Sequence, residues 1–201
     1  GDWKDEAASI VVSLMEKGAP LQEEGLLPLQ RLKGDAIPTF VIPSVGPWLT
    51  DKNASNRYKA AWILSNAGPR ARATLDQLVL CLTNESDLKV LRYVSLSVGE
   101  IGPDAQSAVP HLLRILEKRP LYSTVAQGQA YIRNELATES SRRWDAIEAE
   151  RAMSEAIVRV GGPEARNLIP ILERFLRDKH HHRRTLAAKV LGELGPDAAS
   201  A

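Results

Sequence analysis

The 201 residues are 44% hydrophobic and 25% charged, enough apolar content to bury a sizeable core as one domain or one repeat array. Lys and Arg total 26 against 25 Asp and Glu, so a formal charge of +1 supplies no overall field toward phosphate backbones or anionic lipid. The longest apolar runs, such as Ile10 to Val12 and Leu78 to Leu82, fall far below the roughly 18 residues a membrane helix needs, and the single Cys81 excludes an internal disulfide and any multi-cysteine metal site.

A soluble globular unit is therefore expected. No basic segment followed by an apolar one opens the chain, and nothing in it anchors to or spans a membrane. The chain starts Gly1-Asp2 without a methionine, which reads as a processed or excised piece and leaves the compartment open.

Apolar periodicity predicts helices, in chain order, at 4–17, 21–33, 43–50, 55–67, 74–83, 87–101, 110–118, 123–137, 143–160, 170–178 and 183–194. These helices are copies of a pair. Aligning Met15, Leu49, Leu82, Leu116 and Leu176 gives intervals of 34, 33, 34 and 60. Each is preceded by an apolar residue, Leu14, Trp48, Cys81, Ile115 and Phe175. Val11, Val45, Leu78, Leu112 and Leu172 complete an i, i+3, i+4 stripe on the first helix of every pair.

A second signal keeps the same step. Gly34, Gly68, Gly102, Gly161-Gly162 and Gly195 end the second helices, and from Gly68 onward they read Gly-Pro-x-Ala. Glycine supplies a left-handed stop, and the proline after it prevents continuation. Polar turns at Asp51-Lys52-Asn53, Asn84-Glu85-Ser86 and Asp178-Lys179-His180 separate the two helices of their units. Pro43, Pro110 and Pro170 open first helices, where a missing N–H costs nothing. The residues before them, Ile42, Val109 and Ile169, are expected to be extended. The units are 4–34, 35–68, 69–102, 103–162 and 163–195, with 196–201 opening a sixth.

The stretches Gly102-Pro-Asp-Ala-Gln-Ser-Ala-Val-Pro-His-Leu-Leu113, Gly162-Pro-Glu-Ala165 leading to Ile169-Pro170, and Arg184-Thr-Leu-Ala-Ala-Lys-Val-Leu-Gly-Glu-Leu-Gly-Pro-Asp-Ala198 resemble the short HEAT repeats first recognised in phycobilisome bilin lyases. The resemblance covers residues 35–201 well and 1–34 only through the apolar spacing. It implies an all-α fold, a right-handed α-solenoid of about five helical hairpins. Most such arrays are interaction scaffolds, while a minority attach bilins or bind DNA. Tetratricopeptide and ankyrin arrays share the period, but their signatures are missing at the right places.

The step of 60 leaves about 26 extra residues in the fourth unit, an insertion at 121–143. Val125, Ala126, Tyr131, Ile132 and Leu136 give it a helical stripe, and Ser140-Ser141 is placed to cap the helix that follows. Its position extends the turn between the two helices of that unit. Both a binding decoration and a neutral one fit that position.

Other chemical candidates read as structure. His180-His181-His182 lacks the i, i+4 spacing of a metal pair and is expected to form a solvated basic turn. Asp145, Glu148 and Glu150, beside Arg142, Arg143 and Arg151, read as a salt-laced solvent face. Cys81 lies in the core stripe, where a buried thiol is not held as thiolate. Arg57, Arg92, Arg151 and Arg184 recur near the starts of second helices and resemble the family's arginine ladder, which pairs with turn carboxylates or carbonyls. There is no phosphate loop, His-Glu-x-x-His helix, nucleophile elbow or haem motif, so neither catalysis nor a cofactor is expected.

In such solenoids the second helices line the concave surface. Tyr58, Trp62 and Asn66, Tyr93, Leu96 and Glu100, Glu155 and Arg159, and Lys189 and Glu193 then face a partner. This mixture of apolar, acidic and basic groups fits another protein better than nucleic acid, which calls for a consistently basic groove. A basic edge of Arg70, Arg72, Arg114 and Arg119 is the DNA alternative. A bilin or cofactor chaperone is the other, with Cys81 as its thiol. At the C-terminal end the last helix is expected to leave an apolar edge exposed.

Overall fold

The computed structural model describes residues 3–18, 20–117 and 139–195, and every regular element among them is helical. The α-helices are α1 (Trp3–Glu16), α2 (Glu23–Leu29), α3 (Val41–Val45), α4 (Ala54–Ala67), α5 (Leu75–Asn84), α6 (Leu88–Ile101), α7 (Val109–Glu117), α8 (Glu139–Val160), α9 (Ile169–Leu176) and α10 (His181–Leu194). None is long and apolar enough to cross a membrane. The predicted helix at 123–137, with most of the insertion, lies outside the described residues.

The helices follow from local chemistry. Asp87 caps α6 by accepting from the backbone N–H groups of Lys89 and Val90 at 2.8 and 3.0 Å, and Asn53 accepts from Ser55 N–H at the head of α4. Gly68 and Gly102 end α4 and α6 at φ +62° and +73°, where a side chain would be strained.

Several local expectations are corrected. The Gly-Pro corners are short 3-10 helices, Gly68–Thr74, Gly102–Ala108 and Pro163–Leu168, that lead into the next first helix. Ile42, Val109 and Ile169 are helical, not extended. All three are buried in the core, and that burial outweighs the bias set by the following proline. The proline then sits in the first turn, where no N–H bond is lost. Pro28 confines the second helix of the first unit to Glu23–Leu29 instead of 21–33. Gly46-Pro47 converts the end of the 43–50 helix into a 3-10 turn, Gly46–Thr50. Ser140 and Ser141 are the second and third residues of α8, inside its first turn, and do not stand at the cap position before it.

The second helices pack in chain order, α2 beside α4, α4 beside α6, α6 beside α8, and α8 beside α10. Among the first helices, α5 meets α7, and the Arg174 guanidinium of α9 donates to the carbonyl of Leu116 on α7 at 3.2 Å. One continuous core joins the helices, from Leu26 and Val45 through Leu78, Val94 and Leu112 to Ile157, Leu172 and Val190. Each fully buried Leu or Ile there contributes about 1.5–3 kcal/mol. The repeated stripe is buried on α5 and α7 but partly open on α1 and α9, where Leu14 is 51% and Leu176 40% exposed.

Candidate protein-binding surface

On α4 and α6 the 34-residue step places aromatic side chains on neighbouring faces. Tyr58, Trp62 and Tyr93 converge: Trp62 and Tyr93 stack with ring centroids 5.2 Å apart and planes 16° from parallel. Tyr58 meets both edge-on at 5.6 and 5.2 Å. All three are half-buried, as is Leu96 one turn further along α6. The Arg92 guanidinium lies 5.5 Å from the Tyr93 ring centre. Burial raises the Tyr58 hydroxyl well above the ordinary tyrosine range. Tyr93 and Asp145 add to that rise while Arg92 opposes it, so Tyr58 stays a neutral donor.

Further along the row the predicted residues pair with one another. Asn66 donates to the carbonyl of Gln30 at 3.0 Å and ties α4 to the end of α2. Glu100 of α6 pairs with Arg159 of α8. Glu155 of α8 accepts from Lys189 of α10 at 2.7 Å and lies 3.7 Å from Arg151, while Lys189 is 3.7 Å from Glu193. The surface therefore has an aromatic end on α4 and α6 and a charge-neutralised end on α8 and α10.

The arginines of the predicted ladder are all engaged. Arg57 donates to the carbonyls of Asp51 and Lys52 at 2.9 and 3.2 Å and grips Glu85, in the turn of the following unit, at 2.6 and 3.0 Å. Arg184 repeats the first part, holding the carbonyls of Asp178 and Lys179 at 2.8 and 2.9 Å. Arg92 and Arg151 converge on Glu148 at 2.9 and 2.6 Å. In the basic edge, Arg70 donates to the carbonyls of Ile37 and Gly34, and Arg72 pairs with Asp104 at 3.0 Å. Arg114 is exposed, and Arg119 lies outside the described residues.

The acidic run on α8 is not a solvent face. Glu148 and Glu150 are buried because α8 is flanked by α6 on one side and α10 on the other, and arginines reach them from both. Arg183, which adjoins the histidine run, inserts between α8 and α10 to meet Glu150, with Asp178 at 3.1 Å and the Phe175 ring centre at 4.1 Å. The histidines form no loop: His180 is the residue before α10, and His181 and His182 make its first turn. The His180 and His182 rings lie 5.7 Å apart and both are half-buried. No group of three metal-ligating side chains occurs among the described residues.

Cys81 is 4% exposed, its sulfur 3.9 Å from a Glu85 oxygen, and burial together with that carboxylate pushes the thiol up to about 12. Two exposed aromatics escaped the periodicity, Phe40 at 38% and Trp144 of α8 at 61%. Its neighbour Asp145 lies 4.0 Å from Lys89 of α6. A tryptophan isolated among charged residues, Arg142-Arg143-Trp144-Asp145, was the only signal for it.

No family model matches the chain, and no curated protein matches it. Among solved structures it is similar to a crystal structure of an engineered protein from the Northeast Structural Genomics Consortium. The identity is 14%, the TM-score is 0.47, and the match covers 98% of each chain.

Proposed function

We propose that this chain is a non-catalytic scaffold, an α-solenoid of HEAT-like hairpins that holds another protein on the surface of its second helices. The observation that carries the reading is the Tyr58, Trp62 and Tyr93 cluster, half-buried and spanning two neighbouring helices beside Leu96. Rigid aromatics with a polar tip bind at low entropic cost, because packing against one another already holds their rotamers. The paired charges from Glu100 to Lys189 form a polar flank to that patch, as the rim does in protein interfaces.

The nucleic-acid alternative is weakened by the engagement of Arg57, Arg70, Arg72, Arg92, Arg151 and Arg184 with protein carbonyls and carboxylates. The bilin alternative is weakened by the burial of Cys81. The decisive experiment is affinity capture with nuclease treatment, followed by direct binding of the purified captured protein to the wild type and to a Trp62→Ala, Leu96→Ala double variant. The proposal expects nuclease-resistant binding that the variant loses at least about tenfold. Recovery of nucleic acid alone, or binding indifferent to the variant, overturns it.

A further inference from the structure

We infer that the aromatic patch on α4 and α6 takes an acidic segment of the partner, an apolar side chain seated against Trp62 and Leu96 with an Asp or Glu beside it for Lys59 and Lys89. This deepens the scaffold reading and rests on it.

The charges around the patch are one-sided. Helix α4 carries no Asp or Glu, and α6 carries none before Glu100 in its last turn, whereas Arg57, Lys59, Lys89 and Arg92 all stand on these two helices. Two of the four cations are already engaged. Arg57 grips Glu85 at 2.6 Å and Arg92 holds Glu148 at 2.9 Å, and only 2% and 8% of the two carboxylate side chains are exposed. The lysines are not neutralised in this way. Lys59 reaches the Asn56 amide oxygen at 3.5 Å and meets no carboxylate among the described residues. Lys89 is 56% exposed, and Asp145 lies 4.0 Å from it, the outer limit of an ion pair.

Spacing puts both lysines against the rings. Lys59 stands three residues before Trp62 on α4 and Lys89 four before Tyr93 on α6, so each shares a helix face with its ring. The Tyr58 hydroxyl adds a neutral donor to the same cluster. Donors and cations together recognise a carboxylate. A partner cation finds no cage here, because Trp62 and Tyr93 turn their faces to each other at 5.2 Å and the flanking lysines repel it. Nucleic acid would need those same ring faces for its bases. Further along the row Glu100 cancels Arg159 and Glu155 cancels Lys189, so the positive bias is confined to the aromatic end.

Peptide-phage panning on the full chain, with counter-selection on the Trp62→Ala variant, tests this, followed by fluorescence anisotropy of the selected peptides carrying fluorescein. The selected sequences are expected to place Asp or Glu close to an apolar side chain. Combined Lys59→Glu and Lys89→Glu is expected to weaken their binding at least about tenfold. Salt raised to about 0.5 M should weaken the wild-type complex. Asp145→Asn, which releases Lys89, should tighten it about two- to threefold. None of the three residues is buried, and circular dichroism checks that each variant folds. Neutral or basic selected peptides, or acidic ones indifferent to the lysine reversal, overturn the inference and leave the scaffold reading standing. If no peptide depends on Trp62, or if an oligothymidylate displaces the peptides by binding through Trp62, both are overturned.

Discussion

The guanidinium of Arg183 and the carboxylate of Glu150 face each other across α10 and α8, Nε to Oε2 at 2.9 Å, with 4% and 1% of the two side chains exposed. Removing one partner strands a charge with no water to take it. Arg183→Ala is expected to cost about 3–5 kcal/mol in urea denaturation. Replacing both, with Arg183→Met and Glu150→Leu, is expected to cost far less, because Glu150 is no longer a buried charge and Asp178, though it loses Arg183, keeps the His180 backbone N–H at 2.9 Å. Equal losses in the two variants would remove the pair from the account.

Acid is expected to loosen the same corner. Burial holds His180 below the ordinary histidine value of about 6.5, with Lys179, Arg143 and Arg183 adding to the depression and Asp178 opposing it. Burial does the same to His182, against Glu150 and with His180, Arg183 and His181. The unfolded chain therefore takes up protons that the folded chain refuses. Their contribution to stability is complete above about 6.5 and is lost as the pH falls toward the lowered folded values. Thermal melts from neutral pH down to about 5 should show a falling Tm that flattens in a His180→Gln, His182→Gln variant. A Tm that rises on acidification contradicts this sign.

Two glycines in equivalent helical positions should respond oppositely to the same change. Gly99→Ala places a methyl against the Ala156 backbone, which cannot swing aside, and should destabilise by about 1 kcal/mol or more despite the better helix propensity. Gly192→Ala meets open space and should stabilise by about 0.5–1 kcal/mol. Chemical denaturation of the two variants decides the matter. Destabilisation by Gly192→Ala would mean that its environment is more crowded than described.

Cys81 should be inert in the folded chain. With its thiol raised to about 12 by burial and by Glu85, against a lesser pull from Arg57, too little thiolate forms at neutral pH to attack a disulfide reagent. Modification by an aromatic disulfide is expected to be slow in native protein and fast in urea. Rapid native modification would reopen the thiol-based cofactor reading.

The helical class, the order of the helices and the positions of most of them were legible in the chain. Apolar spacing within each helix and the Gly-Pro corners act over a few residues and need no distant partner. The gathering of Tyr58, Trp62 and Tyr93 was legible for a related reason: a fixed 34-residue step puts residues at similar places in successive helices on neighbouring faces.

The burial of Glu148 and Glu150 was hidden, because a carboxylate on a charged helix looks the same whether it meets water or an arginine 33 residues away. The pre-proline residues were misread because a weak local bias yielded to burial. Met15, Leu82, Leu116 and Leu176 align in sequence, yet Leu82 and Leu116 are buried while Met15 is half-buried and Leu176 is 40% exposed. The pattern alone determined which face of each helix is apolar. Only the tertiary structure decided which faces are covered, because covering requires a neighbour that local spacing does not name.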